Sequence, residues 1–175
     1  MAISRHNLVP DLPDNNFATL NPLSFAQSDS NNFLENGNLT VSSTTGDGYT
    51  KRATMSVHSG KYYWELCWSN TAAVMFGIGS QTVHTLNVFD GNGYIAFYVD
   101  GNYYKLDGNQ TTFSWSFDVD DVIGMLLDKD NNTLTMYKNG QLVNSAIDFS
   151  SSNYLSDDGV TLAIASGAGS SAGRS

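Results

Sequence analysis

Short apolar runs alternate with clusters of turn-forming residues along most of the chain, at roughly even spacing. Strands of about four to eight residues bounded by Gly, Asn, Asp or Ser give this pattern in sandwiches and barrels. We therefore predict an all-β domain, with a tight hairpin turn at Asn139-Gly140, because both residues tolerate positive φ. The predicted strands cover residues 38–43, 51–58, 61–68, 74–79, 93–99, 103–106, 113–117, 121–128, 133–138, 141–145 and 160–166.

Alternation inside the strands assigns side chains to the two faces of a sheet. In the strand predicted over 61–68, Trp64, Leu66 and Trp68 share one face. We expect that face to be part of the core, and the intervening residues to point outward. The run Val122–Leu127 is apolar on both faces, which predicts a strand covered on both sides.

Composition favours the same fold class. Charged residues make up only 14% of the chain and Glu occurs twice, so the usual material of solvent-facing helices is scarce. Ser, Thr, Asn and Gly together supply 69 of the 175 residues, and there are nine Tyr and nine Phe. These residue types are typical of turns and strands, and the length fits one domain that can bury its own core.

Charge and cysteine content narrow the function. The formal net charge is −9, which argues against binding to nucleic-acid backbones or to anionic membranes. Cys67 is the single cysteine, so no internal disulfide is expected. No run reaches about 18 apolar residues, so we predict no membrane insertion. Residues 1–16 lack the apolar core of a secretory signal, and we expect synthesis in a cytoplasm.

Four segments carry a family resemblance. SGKYYWEL (59–66), FGIG (76–79), DVIGMLLD (121–128) and TLTMYKNGQ (133–141) stand in the order and spacing of the SPRY domain. The resemblance implies a concanavalin A-like fold, a sandwich of two antiparallel sheets with jelly-roll-type architecture. It also implies that Trp64 fills the core between the sheets.

Two further strings resemble SPRY-type domains in structural proteins of tailed phages, marine phages in particular. They are FATLNP (17–22) and ENGNL (35–39). The resemblance implies a non-enzymatic module of a virion, such as a tail-fibre, receptor-binding or capsid-decoration domain. Its implied partners are other virion proteins and a host-surface glycan or protein, and a homo-oligomer stays open.

Two alternatives come from other functional classes. A cellular SPRY adaptor would bind a short peptide on the same loop surface. The L-D-P-x-T-A and L-D-Y-E strings of animal ubiquitin-ligase and receptor versions are absent, which argues against that alternative. A polysaccharide-cleaving enzyme of the same fold would need two carboxylates across one cleft.

The sequence offers no catalytic or metal constellation. Glu35 and Glu65 lie thirty residues apart and no E-x-D-x-x-E string occurs, so we predict no catalytic residue and no enzyme activity. The aspartates of 118–121 and 128–130 lack EF-hand spacing, although calcium in a loop stays open. The three histidines lie in separate segments, and no phosphate-binding loop precedes a helix. We therefore predict no metal site and no cofactor.

Aromatic residues beside turns are the candidate binding residues. A tyrosine next to Asn or Asp offers a flat apolar face together with hydrogen-bonding groups, which suits sugar or protein recognition. We expect these residues to lie on loops at one end of the sandwich and to contact the ligand. The candidates are Tyr49, Phe89, Tyr94, Tyr103, Tyr104 and Tyr154.

The chain divides into an N-terminal arm (1–16), the sandwich (17–166) and a Gly/Ser/Ala-rich tail (167–175). Sandwiches of this family normally close with one more strand after the region of 160–166. We therefore predict an unpaired edge beside that strand or its sheet partner, open to pairing with a missing segment or with another chain.

Overall fold

The computed structural model describes residues 18–24, 32–43, 49–67, 74–82, 92–98 and 103–166. These ranges contain β-strands and turns, and none of them forms a helix long and apolar enough to cross a membrane. The strands are β1 (Asn32–Glu35), β2 (Thr40–Ser43), β3 (Tyr49–Val57), β4 (Lys61–Cys67), β5 (Val74–Ser80), β6 (Tyr94–Tyr98), β7 (Tyr103–Leu106), β8 (Asn109–Thr112), β9 (Val122–Asp128), β10 (Thr133–Lys138), β11 (Gln141–Leu142), β12 (Ile147–Asp148) and β13 (Val160–Ser166).

Two antiparallel sheets form the body of the domain. One sheet has six strands in the order β3-β13-β5-β6-β7-β8. The other has five strands, with the order β11-β10-β9-β4 and with β12 paired to β10. Strands β1 and β2 form a separate hairpin. The predicted all-β sandwich is confirmed.

The core fills the space between the two large sheets. Phe76 and Phe97 project from the six-stranded sheet and stack with their ring centroids 5.4 Å apart. Met125 and Met136 project from the five-stranded sheet and are fully buried. Each such side chain contributes about 1.5–3 kcal/mol through burial. The buried cluster consists of Phe76, Ile78, Ile95, Phe97, Phe117, Ile123, Met125, Leu127, Leu134, Met136, Ile147, Phe149, Leu155 and Val160.

The predicted faces of β4 are confirmed where the structure describes them. Trp64 and Leu66 pack against the core, whereas the alternate residues of the strand are exposed. Trp68 lies outside the described residues. The neighbouring strand β9 differs from its prediction, because Val122 and Leu126 on its outer face are only half-buried. This sheet therefore has one dry face and one face that water reaches.

Residues 113–117 are not a strand, which corrects the prediction. The segment leads from the edge strand β8 of one sheet towards β9 of the other, so no ladder partner runs beside it. It keeps the alternation of a strand because Phe113, Trp115 and Phe117 pack inward while the intervening serines stay exposed. The rings of Phe113 and Trp115 stack at 3.8 Å between centroids.

Tight turns follow the predicted dipeptides. Asn139 and Gly140 take φ values of 50° and 76°, and they join β10 to β11. Asn36 and Gly37 adopt positive φ in the same way between β1 and β2. The predicted turn at Asn139-Gly140 is therefore confirmed, and the β1–β2 hairpin uses the same backbone conformation.

The predicted open edge does not lie along β13 itself. Val160 pairs with Val57 of β3 on one side and with Ser80 of β5 on the other. β13 therefore has a hydrogen-bonded neighbour along each side, whereas its partner β3 is the last strand of the sheet as the structure describes it. A closing strand beside β3 stays a prediction. Residues 1–16 and 167–175 lie outside the described ranges.

Phe97→Ala should lower the free energy of unfolding by about 3–5 kcal/mol. The substitution empties the position where Phe97 meets the rings of Phe76 and Tyr104, and the surrounding sheets can collapse only in part. Urea denaturation measures the change. Leu142→Ala is the control, because Leu142 is exposed and its loss should cost less than about 0.5 kcal/mol. Equal losses in the two variants would contradict the placement of the core.

Candidate functional site

Tyr94 is a core-like residue of β6 and not a loop contact, which corrects the sequence prediction. Its side chain is 1% exposed. Arg52 donates a hydrogen bond from Nη2 to Tyr94 Oη at 2.5 Å, and the guanidinium carbon lies 5.6 Å from the ring centroid. A ligand arriving from solvent cannot reach this ring.

Tyr103 and Tyr104 begin strand β7 and are half-buried. The Tyr104 ring packs between the sheets, 5.7 Å from the centroid of Phe97. Tyr103 points to the other side of the sheet and stacks on Tyr98 with centroids 4.4 Å apart. The two adjacent tyrosines therefore serve different faces, as alternation in a strand requires.

Two of the remaining aromatic candidates lie at opposite ends of the sandwich. Tyr49 begins β3 and pairs with Ser166, at the same end of the six-stranded sheet as Tyr103. Tyr154 lies in a loop at the opposite end, where Lys129 Nζ donates to Leu155 O at 2.7 Å. Phe89 lies outside the described residues. Among the candidates whose side chains the structure describes, Tyr94, Tyr103, Tyr104 and Tyr154 therefore do not form one site.

Two aspartates near the turns, Asp121 and Asp128, accept hydrogen bonds from neighbouring side chains. Lys138 Nζ and Asn139 Nδ2 each lie 2.7 Å from a carboxylate oxygen of Asp121. Burial alone would raise the pKa of Asp121, but these hydrogen bonds outweigh it and lower the pKa. Asp128 accepts from Lys61 Nζ at 2.8 Å, and this bond together with those from Asn131 lowers the pKa of Asp128 to about 2. Among the described residues, no group of three or more His, Cys, Asp or Glu side chains is arranged to hold a metal ion.

The outer face of the five-stranded sheet presents a different set of side chains. Glu65 of β4 pairs with Gly124 of β9, and Gly124 pairs with Tyr137 of β10. Tyr63 stands two residues before Glu65 on the same face. Directly paired residues of antiparallel strands point to the same side, so these four positions are neighbours. We call Tyr63, Glu65, Gly124 and Tyr137 the tyrosine platform.

Gly124 gives the platform its flat shape. A Cβ on this residue would overlap Tyr63 Oη and would lie 2.9 Å from Cζ of the same ring. The hydroxyl end of the phenol therefore lies beside the glycine, in space that the Cβ of any larger residue would fill. Tyr63 Oη donates to Glu65 Oε1 at 2.8 Å, and the Tyr137 ring meets the Tyr63 ring at 74° with centroids 6.2 Å apart.

The electrostatics of this face are acidic. The hydrogen bond to Glu65, followed by burial and by repulsion between Glu65 and the phenolate, raises the pKa of Tyr63. The carboxylate of Asp128 neutralises the charge of Lys61. Asp148 lies on the same face of the sheet, because it pairs with Thr133, which in turn pairs with Asp128. Glu65, Asp128 and Asp148 thus outnumber Lys61 on the outer face of the described strands.

Sequence reasoning assigned Tyr63 and Glu65 to the outward face but did not select them as a site. The aromatic residues predicted to bind lie beside turns in the sequence, whereas Tyr63 and Tyr137 lie inside strands. A signal did exist, because Gly124 interrupts an otherwise apolar strand and so marks a place where another group approaches closely.

Two facing antiparallel sheets with an aromatic core between them define a β-sandwich. The family model described as "SPRY domain" matches residues 61–171, and the chain belongs to that family. Among solved structures it is similar to the SPRY domain of human HERC1, with 21% identity and a TM-score of 0.68 over 85% of this chain and 90% of that chain. It is also similar to the PSpry domain of TRIM65, with 15% identity and a TM-score of 0.64 over 84% and 83%. No curated protein matches the chain.

Glu65→Ala should lower the pKa of Tyr63, because the substitution removes both the acceptor and the negative charge beside the phenol. A pH titration followed by NMR of ¹³Cζ-labelled tyrosine measures the shift. In the wild type, the stabilisation from this bond is present below the ordinary tyrosine pKa and is lost as the pH rises through the raised pKa of Tyr63.

The matched control is Glu35→Ala, which removes an exposed carboxylate from the β1–β2 hairpin, where it accepts from Ser42 Oγ at 3.2 Å. It should leave the Tyr63 titration unchanged. If Glu65→Ala also left that titration unchanged, the Tyr63–Glu65 contact would be refuted.

Proposed function

We propose that this domain is a non-catalytic module that binds a protein partner through the tyrosine platform. One observation carries the proposal: Tyr63 remains 51% exposed although its orientation is fixed by Glu65 and by the glycine beneath it. Tyrosine dominates many protein interfaces because it offers a large contact area with few rotatable bonds. A ring already held in place loses little conformational entropy when a partner covers it.

The placement of the carboxylates speaks for binding and against catalysis. Glycoside hydrolysis requires two carboxyl groups that flank one bond. Glu35 belongs to the separate β1–β2 hairpin, whereas Glu65 belongs to β4 and is engaged by Tyr63. This arrangement supports the prediction that the domain is not an enzyme.

Whether the domain works in a virion or in a cell is a separate proposal. Residues 17–22 and 35–39 support a virion component, whose partners would be other virion proteins and a host-surface glycan or protein. The fold likeness to a domain of human HERC1 supports the alternative, a cellular adaptor that binds a short peptide. The genes beside the coding sequence discriminate the two settings, because phage head and tail genes would favour the virion and their absence would count against it.

Selection from an mRNA-displayed random-peptide library tests the binding face. We expect the enriched peptides to lose about 10- to 30-fold in affinity on Tyr63→Ala, the size of effect seen for a central interface aromatic. The matched control is Tyr154→Ala, because Tyr154 is 40% exposed, belongs to the predicted loop set and lies outside the platform. Its loss should leave affinity unchanged.

Cys67 supplies an independent footprint. It is exposed and lies on the same face of β4, two residues beyond Glu65. A bound peptide should slow its alkylation by iodoacetamide. Peptides that depend on Tyr154 and not on Tyr63 would move the binding face to the loops, and a library that yields no binder would contradict the proposal.

A further inference from the structure

We propose that the tyrosine platform is a cation site that takes an arginine side chain from a basic segment of the partner. The guanidinium stacks on the open face of Tyr63 and donates to Glu65. This inference rests on the proposed function, because it names the chemistry of the partner at the same site.

First, the Tyr63 ring is exposed enough for a cation to reach it. Gly124 lies against the hydroxyl end of the ring, and the side chain is nevertheless 51% exposed, so solvent reaches much of the ring. The face of a phenol ring carries the negative end of its quadrupole and attracts cations. A guanidinium can lie parallel to that face without displacing any protein group.

The second argument is the spare hydrogen-bonding capacity of Glu65. Its Oε1 accepts from Tyr63, and no other hydrogen bond from the described residues reaches this carboxylate. Oε2 can therefore accept from a ligand. Arginine has a planar fork of donors that can stack on a ring while it binds a carboxylate, whereas a lysine ammonium acts as a point charge. The combination of ring and carboxylate thus favours arginine.

The third argument is the apolar border of the site. The Tyr137 ring stands at 74° to the Tyr63 ring and forms a corner with it. Leu142 pairs with Tyr137 and is 63% exposed, so the border continues onto β11. An arginine has a three-carbon stem that needs apolar cover while its head group meets the charge.

The fourth argument is the charge around the platform. The nearest cation on the same face, Lys61, is paired with Asp128 at 2.8 Å, and Lys138 is turned to Asp121 at 2.7 Å. Asp148 adds a further carboxylate to the outer face. With a net charge of −9, the whole chain also attracts a basic segment from a distance. The local and the overall charge therefore favour the same class of partner.

Titration calorimetry at 0.15 M NaCl with an acetylated, amidated hexa-arginine peptide tests the inference. Hexalysine and hexaglutamate are the peptide controls, and we expect the order of affinity to be hexa-arginine, then hexalysine, then hexaglutamate. Glu65→Gln and Tyr63→Leu should each weaken hexa-arginine binding by about tenfold. Glu35→Gln removes the same charge from another surface and should change it by less than about twofold.

Gly124→Ala provides a variant that keeps every functional group. The new methyl group forces the Tyr63 ring to move, and the ring can do so because its far end is free of the core. We expect this variant to remain folded and to bind hexa-arginine about as weakly as Tyr63→Leu does. Heteronuclear NMR spectra of each variant verify the fold and map the contact in the wild type, where shifts should centre on Tyr63, Gly124 and Tyr137.

Each outcome decides between explanations. Equal losses in Glu65→Gln and Glu35→Gln would mean that hexa-arginine senses only net charge, and the cation site would be refuted. If library-selected peptides require Tyr63 but neither contain arginine nor respond to Glu65→Gln, the binding face stands and the cation inference fails. If neither hexa-arginine nor those peptides respond to Tyr63→Leu, both proposals fail. Binding of maltohexaose that needs Tyr63 but not Glu65 would assign the platform to a glycan instead.

Discussion

The register of β4 against β9 is the constraint on which both the core and the candidate site depend. It sets Trp64 opposite Met125 and Tyr63 opposite Leu126. Because side chains alternate along a strand, a slip by one residue would turn Trp64 to solvent and Tyr63 into the core. The ion pair between Lys61 and Asp128 joins the two strands at one end of this register. The same pairing that buries the core therefore fixes which aromatic side chain is presented outward.

Gly124 leaves room for the Tyr63 side chain on the outer face of the sheet and so determines the shape of that surface. A glycine inside a strand usually weakens it, because the residue has no side chain to pack and more freedom to lose. Here the phenol of Tyr63 fills the space above the glycine, and Glu65 holds the hydroxyl. The result is a fixed aromatic ring beside a carboxylate, on strands that are anchored from below by the core. Recognition on such a surface needs no movement of a loop.

The sequence predicts the fold well where local pattern and tertiary pairing agree. Strand β4 begins at the predicted Lys61, and Asn139-Gly140 makes the predicted turn. Strand β8 escaped prediction because its four residues carry no apolar side chain, and its pairing with β7 alone makes it a strand. The extended segment 113–117 has the alternation of a strand without a partner, and alternation alone cannot reveal which sheet, if any, will bind it.

The candidate site was harder to predict than the fold, because the pairing of three strands brings its residues together. Tyr63, Gly124 and Tyr137 come from three strands, and nothing local to any of them marks a surface. Tyr94 shows the opposite case, since its turn-like neighbours suggested exposure although the strand buries it. Aromatic residues beside turns are easy to recognise in a sequence, but the register of the strands determines which side chains are in contact.

The most direct test of this account is a nuclear Overhauser spectrum of the wild-type domain, read at the two Hα protons of Gly124. We expect cross-peaks from these protons to the Hε ring protons of Tyr63, because the hydroxyl end of that ring lies against the glycine. The absence of these cross-peaks would contradict the β4–β9 geometry and the platform built on it.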